Sequence, residues 1–450
     1  MPDPILTREQ AKALTDRALS FATADETRVN VRAGWRGNTR FAGNEITTAG
    51  GTTDVAVTVT STVGRRRASA STNVLDDVGL KRVVEQAERL ARLSPEDPEF
   101  LPALGPQQYA TVNAYSQATA DLTPEARALA VERVLKGVSE AGQQAGVAVD
   151  DLFVAGFLEA SAGVASAVAT SRGLFAYHPA TDVSLSVTAR TADGTGSGYA
   201  ASGANDWKVL DPAALGRYAA QKGIASRNPQ AIEPGRYTVI LEPRAVADFV
   251  PLVMSAFQAR STDEGRSAFS RPGGGTRVGE RIADPRVTLL SDPADPELLT
   301  VPFDNEGLPA RGATWIRDGV LNDLAYSRWW AEQKGKQPNG GGGLKMLGTD
   351  RSLADLIAGT ERGILCTRFW YIRFLDQRTV MLTGLTRDGT FLVENGKITR
   401  PLKNMRWNES PLHALARIEE IGRAERVESG LVMPSLKIRD FNFTSLSDAV

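Results

Sequence analysis

The sequence predicts an α+β protein in which an N-terminal α/β domain, residues 1–230, precedes a β-rich C-terminal domain, residues 231–450. Three observations carry that expectation. At 450 residues the chain exceeds what one ordinary core holds, so two domains are expected. Helical and strand periodicities alternate through the first half. Beyond the breakers Asn228-Pro229 and Glu233-Pro234-Gly235, strand signals and glycine take over.

The elements follow in order. Thr7 with Gln10 forms a capping box, and the helix it opens places Ala11, Leu14, Ala18 and Leu19 on its apolar face. Residues 28–33 alternate as a half-buried strand with Val29, Val31 and Ala33 on one side. A second strand, residues 39–42, turns through Gly43-Asn44, and residues 54–63 alternate again. Asp76 or Asp77 caps a helix to Leu93 with Leu80, Val83, Val84, Ala87, Leu90 and Ala91 spaced for burial. Residues 94–106 are a Pro-rich loop, and Pro124, in the favoured first position, starts a helix to about Ala141. Strands are expected at 152–158, 164–170 and 182–190.

In the second half, strands are expected at 236–241, 287–290, 313–317, 320–324, 363–373, 378–383 and 390–393. Asp318-Gly319 and Asn395-Gly396 are hairpin turn signals. The run Gly340 to Gly343 reads as a flexible loop, or as backbone able to close on a ligand. No Lys-Ser/Thr follows it to make a phosphate loop.

Composition narrows the function classes. The chain is 42% hydrophobic and 23% charged, with 52 basic and 53 acidic residues. That balance gives no global attraction to nucleic acid, and the triplet Arg65-Arg66-Arg67 reads as a solvated strand end or turn. One cysteine excludes an internal disulfide framework and fits a reducing compartment. The first residues, Met1 to Thr7, lack the pattern of a secretory leader, and no uncharged apolar run approaches membrane-span length. A cytoplasmic location is therefore expected.

Candidate chemistry is sparse. Cys366 lies in an apolar run with neither His178 nor His413 placed beside it, so a buried thiol is the expected reading. The two histidines, 235 positions apart, cannot make a three-ligand zinc site by themselves. Asp304 and Glu306 flank Asn305 before Gly307, either as paired carboxylates or as a turn. Arg368, Phe369, Trp370, Tyr371 and Arg373 form the densest aromatic–basic cluster. Strand alternation puts Arg368, Trp370 and Ile372 on one face and Phe369, Tyr371 and Arg373 on the other. One face is expected to be core and the other a peptide groove or subunit interface. Trp329-Trp330 is a further buried anchor or interface patch.

Four blocks stand in a telling order: Pro302-Phe303-Asp304-Asn305-Glu306-Gly307, Ile316 to Leu321, Gly363 to Arg373, and Gly389 to Ile398. In order and spacing they resemble the C-terminal half of the TldD/PmbA family of two-subunit metalloproteases. Residues 36–47 and 434–444 also resemble the family. The resemblance implies the two-domain fold and assembly into a proteolytic particle that degrades unfolded peptides. The family's catalytic subunits carry a His-Glu-x-x-x-His zinc motif on the helix after the first C-terminal strand. Here that helix runs Ala245 to Phe257 without His or Glu, and Pro251 is expected to kink it or start a new turn. The chain therefore resembles the PmbA-like (TldE-like) subunit. No metal ligand carries over, and zinc is expected on a TldD-like partner rather than on this chain. Asp304, Glu306, Arg368, Trp370, Tyr371 and Arg373 are the expected peptide- or interface-binding residues. Two other readings stay open: a stand-alone hydrolase using carboxylates and Cys366, and a homodimeric module binding peptides or acting as a gyrase-related factor.

Overall fold

A computed structural model of the chain describes residues 6–447. Its N-terminal part comprises helix α1 (Arg8–Ser20), strands β1 (Glu26–Ala42), β2 (Glu45–Val63) and β3 (Arg66–Thr72), helices α2 (Asp77–Leu93), α3 (Gln117–Ala120) and α4 (Pro124–Ala145), strands β4 (Leu152–Thr170), β5 (Phe175–Thr191) and β6 (Ser197–Ala204), and helix α5 (Pro212–Ala225). The capping box of Thr7 and Gln10 is formed, and Asp76 caps α2. The strands make one antiparallel sheet ordered β3-β2-β1-β4-β5-β6.

Strands expected as separate pieces are continuous. Residues 28–33 and 39–42 belong to β1, and 152–158 and 164–170 belong to β4. The joining segments look like breaks because they carry glycine, but Gly34 and Gly163 face each other across the two strands. A Cβ on Gly163 would lie 2.0 Å from the Ala33 carbonyl oxygen, so glycine here permits close approach of backbones rather than ending a strand.

Val29, Val31 and Ala33 are buried with Val57 and Val59 against Leu80, Val83, Val84 and Ala87 of α2. Leu90, expected in that stripe, is 41% exposed. At about 100° per residue it lies on the stripe's flank rather than at its centre.

His178, ahead of the strand expected at 182–190, lies within β5 at 4% exposure, and its Nε2 has no hydrogen-bond partner among the described residues. Burial pulls its pKa from 6.5 down to about 4. The unfolded chain then binds more protons than the folded one through this window. Stability from the neutral imidazole is complete above pH 6.5 and is lost as pH falls toward 4, by about 3 kcal/mol. Urea melts at pH 7 and 4.5 should show this loss, and His178→Asn should shrink it.

The C-terminal part begins with β7 (Gly235–Leu241) and α6 (Pro243–Phe249), followed by a 3₁₀ segment, Val250–Phe257, that starts at the expected Pro251 break. Next come α7 (Ala259–Asp263), β8 (Leu289–Ser291), β9 (Ala313–Arg317), β10 (Val320–Leu321), α8 (Arg328–Gln333), β11 (Leu344–Met346) and α9 (Leu353–Ala358). The chain ends with β12 (Arg362–Asp376), β13 (Met381–Glu394), β14 (Lys397–Pro401), β15 (Met405–Glu409), α10 (Pro411–Leu415), β16 (Ile418–Glu428) and β17 (Leu431–Leu446).

β7 pairs in parallel with β12 and antiparallel with β17, so β7, β12, β13, β15 and β17 close into a barrel. Its core is aromatic: Phe249 of α6, Phe369, Trp407 and Phe441 lie with ring centroids 4.7–5.9 Å apart. Of the two strands expected at 378–383 and 390–393, residues 381–383 and 390–393 are joined in β13 while 378–380 form the hairpin turn, and the Trp407 ring occupies the place of a side chain at Gly384.

Candidate functional site

A cleft of about 890 Å³ opens between the N-terminal sheet and the C-terminal part. Its floor is the turn Asp304-Asn305-Glu306-Gly307. Asp304 Oδ1 accepts the backbone N–H groups of Glu306 (2.8 Å) and Leu308 (2.9 Å), and Gly307 takes φ +80°. That is turn chemistry; Asp304 is spent on its own backbone. Burial pushes its pKa up, and the neighbouring Glu306 adds to the rise. The Gly307 carbonyl accepts Tyr109 Oη at 2.8 Å, and the Asn305 carbonyl accepts Asn30 Nδ2 at 2.8 Å. Burial raises the Tyr109 pKa to about 12, with Asp304 contributing.

Glu306 is the meeting point of three arginines: Arg328 of α8 at 3.2 Å, Arg28 of β1 at 3.5 Å and Arg67 of β3 at 3.9 Å. Two of them come from the N-terminal sheet, so this carboxylate ties the two halves together at the cleft floor. Its tripling of guanidinium partners was not legible from the motif. Arg67 also pairs with Asp97, and Arg65 donates to the Pro98 carbonyl at 3.1 Å. Arg65 lies in the turn between β2 and β3, as expected, but the triplet is engaged rather than merely solvated. It clamps the Pro-rich loop, which brings Glu99 and Leu101 to the cleft wall.

The wall also carries aromatic residues and glycines, among them Phe303, Tyr326, Trp329, Gly340 and Gly341. Gly340 exchanges backbone hydrogen bonds with Arg311 and takes φ +113°, and a Cβ there would meet nothing. The Gly341 backbone makes no hydrogen bond among the described residues.

The other expected site residues lie elsewhere. Arg368 is an inter-sheet lock: its Nε lies 2.8 Å from Asp388 Oδ2, an ion pair outside hydrogen-bond alignment, and its guanidinium lies 3.9 Å from the Tyr199 ring centroid. Ser197 Oγ of β6 donates to the same carboxylate at 2.5 Å. Trp370 lies outside the barrel between the guanidiniums of Arg368 and Arg387, 5.0 Å from each. Tyr371, expected on the same face as the buried Phe369, is 59% exposed because the strand bulges between Trp370 and Arg373. Arg373 covers the Tyr371 ring at 4.3 Å. None of these four lines the cleft that holds Asp304 and Glu306.

Cys366 is fully buried in the barrel, where burial pushes the thiol pKa up, and it does not line the cleft. His413 is exposed on α10, 3.8 Å from Glu409. In α6, Arg244 pairs with Asp248 at 2.8 Å and also with Glu428, while Asp248 accepts the Phe369 N–H at 3.1 Å. A guanidinium cannot ligate zinc and the carboxylate beside it is already paired, so these residues do not fit that metal. Just before α6, buried Glu242 accepts Tyr218 Oη at 2.6 Å and pairs with Lys222.

Residues 234–445 match the C-terminal domain of the PmbA/TldA metallopeptidases, and residues 118–227 match their central domain. The chain belongs to the PmbA/TldD family. Within it, the structure resembles TldE of Thermococcus kodakarensis with a TM-score of 0.82, at 19% identity over 96% of this chain and 99% of that one. A Thermotoga maritima protein named for a link to DNA gyrase matches equally well, TM-score 0.82 at 18% identity, over 96% of this chain and all of that one. A metalloprotease of Methanothermobacter thermautotrophicus is 24% identical over 59% of this chain and 61% of its own length. The chain thus aligns with less than two thirds of that curated relative. No described helix is long and apolar enough to cross a membrane.

Proposed function

We propose that this chain is a non-catalytic or regulatory subunit of a PmbA/TldD-type metalloprotease, and that its cleft receives unfolded peptide beside a zinc-bearing TldD-like subunit. In this reading the units divide near residue 230, the site is cytoplasmic, and the zinc belongs to the partner. The observation that carries it is α6: where the family's catalytic subunits place their zinc motif, this chain has the Arg244–Asp248 ion pair. The likeness to TldE supports it. Burial of Cys366 argues against the stand-alone hydrolase.

Native mass spectrometry on the tagged chain, drawn gently from its own cells, tests the reading. A one-to-one complex with a chain of similar size carrying one zinc is expected; a metal-free homodimer, or zinc on this chain, would contradict it. Trp329→Ala removes a cleft-wall aromatic and should weaken capture of unfolded peptide about 10-fold, read by fluorescence anisotropy of a labelled peptide.

A further inference from the structure

We propose that the β12–β13 hairpin is the docking element for a second, different protein chain whose facing surface is apolar and carries carboxylates. The proposal rests on the reading above in taking the TldD-like subunit as that chain.

The hairpin leaves the barrel bearing an apolar surface. Trp370, Tyr371, Phe374 and Leu375 are 45%, 59%, 37% and 56% exposed within six residues. Scattered exposed apolar side chains are ordinary, but a contiguous set is the mark of an interface.

The backbone is committed to this presentation. Eight described residues other than glycine have positive φ, and six of them are Asn or Asp. The remaining two, Tyr371 at +53° and Val380 at +53°, both lie in this hairpin. Aromatic and β-branched residues avoid that region, and such strain gathers where a surface is used. At Tyr371 its effect is visible: the bulge turns the ring outward instead of into the barrel.

Charge selects the occupant. Residues 367–388 hold four arginines and two aspartates, with no lysine or glutamate, in a chain whose formal charge is −1. Both aspartates are used internally. Asp376 accepts the Arg378 N–H at 2.9 Å and the Thr379 hydroxyl at 2.7 Å, while Asp388 is buried against Arg368. Arg373 and Arg378 are left facing out. A second copy meeting this hairpin across a two-fold axis would set arginine against arginine, which disfavours self-association here. A different chain supplying carboxylates would be complementary. Leu375 also borders a groove of about 660 Å³ with Met381, His413 and Ala416. Such a concavity accepts the side chains of a protein, whereas a flat bilayer would leave it empty.

The test titrates the full chain against the TldD-like subunit, read by native mass spectrometry and size exclusion. One variant pairs Phe374→Ser with Leu375→Asp; the other pairs Arg373→Glu with Arg378→Glu. Each should weaken the complex at least about 10-fold, with the melting temperature of the isolated chain unchanged. If the wild-type chain forms no complex, the subunit reading itself falls. If wild type and both variants bind alike, the hairpin proposal is overturned while that reading stands. Self-association, or binding to phosphatidylglycerol vesicles, that the variants abolish would overturn the assigned occupant.

Discussion

Replacing Lys222 with methionine is expected to destabilise the folded chain by about 3–5 kcal/mol. The Lys222 side chain is 13% exposed and its partner Glu242 is 5% exposed. Without the ammonium, Glu242 remains a buried carboxylate with the Tyr218 hydroxyl as its main support. Removing one member of a buried pair costs far more than the pair contributes, because the survivor cannot return to water. The same ammonium lies 5.2 Å from the Phe391 ring of the barrel, so the substitution also loosens α5 from β13. Urea melts of Lys222→Met, Glu242→Leu and the double variant measure this. The double variant should recover most of the loss. A cost below about 1 kcal/mol for Lys222→Met would mean that the pair is hydrated and holds nothing.

Trp407→Ala should cost a comparable amount, about 3–5 kcal/mol. Its ring is fully buried and touches Phe249, Phe369 and Phe441, which join α6, β12 and β17. Gly384 leaves room for that ring, so truncation opens a cavity that the neighbouring strand has no side chain to fill. Trp407→Phe should cost less, and the difference between the two variants in thermal melts measures how far the barrel can relax. Because Phe369 directly precedes the exposed Trp370, this substitution should also disturb the root of the hairpin.

Local patterns in the chain were readable where one segment alone decides them. The period-two burial of Val29, Val31 and Ala33, the caps of α1 and α2, and the break at Pro251 all follow from residues a few positions apart. The features that failed to show depend on partners distant in sequence. Gly34 looks like a break until Gly163 stands opposite it, and Lys222 and Glu242 lie on different elements, as do Ser197 and Asp388. Arg67 read as a solvated strand end or turn because Glu306, far along the chain, could not be placed beside it. Tyr371 read as sharing a face with Phe369 because alternation assumes a regular strand, and a left-handed residue within β12 breaks it. The site was half legible: the motifs carrying Asp304 and Glu306 marked the cleft, whereas its arginines come from three separate elements.

The central claim is that this chain contributes to proteolysis without holding the metal centre. Hydrolysis of an unfolded, fluorogenic peptide should be measured for this chain, for the zinc-bearing TldD-like subunit, and for their equimolar mixture. The account expects no turnover from this chain alone and activity in the mixture that exceeds that of the zinc-bearing subunit. Equal activity with and without this chain, or turnover by this chain unaided, would contradict it.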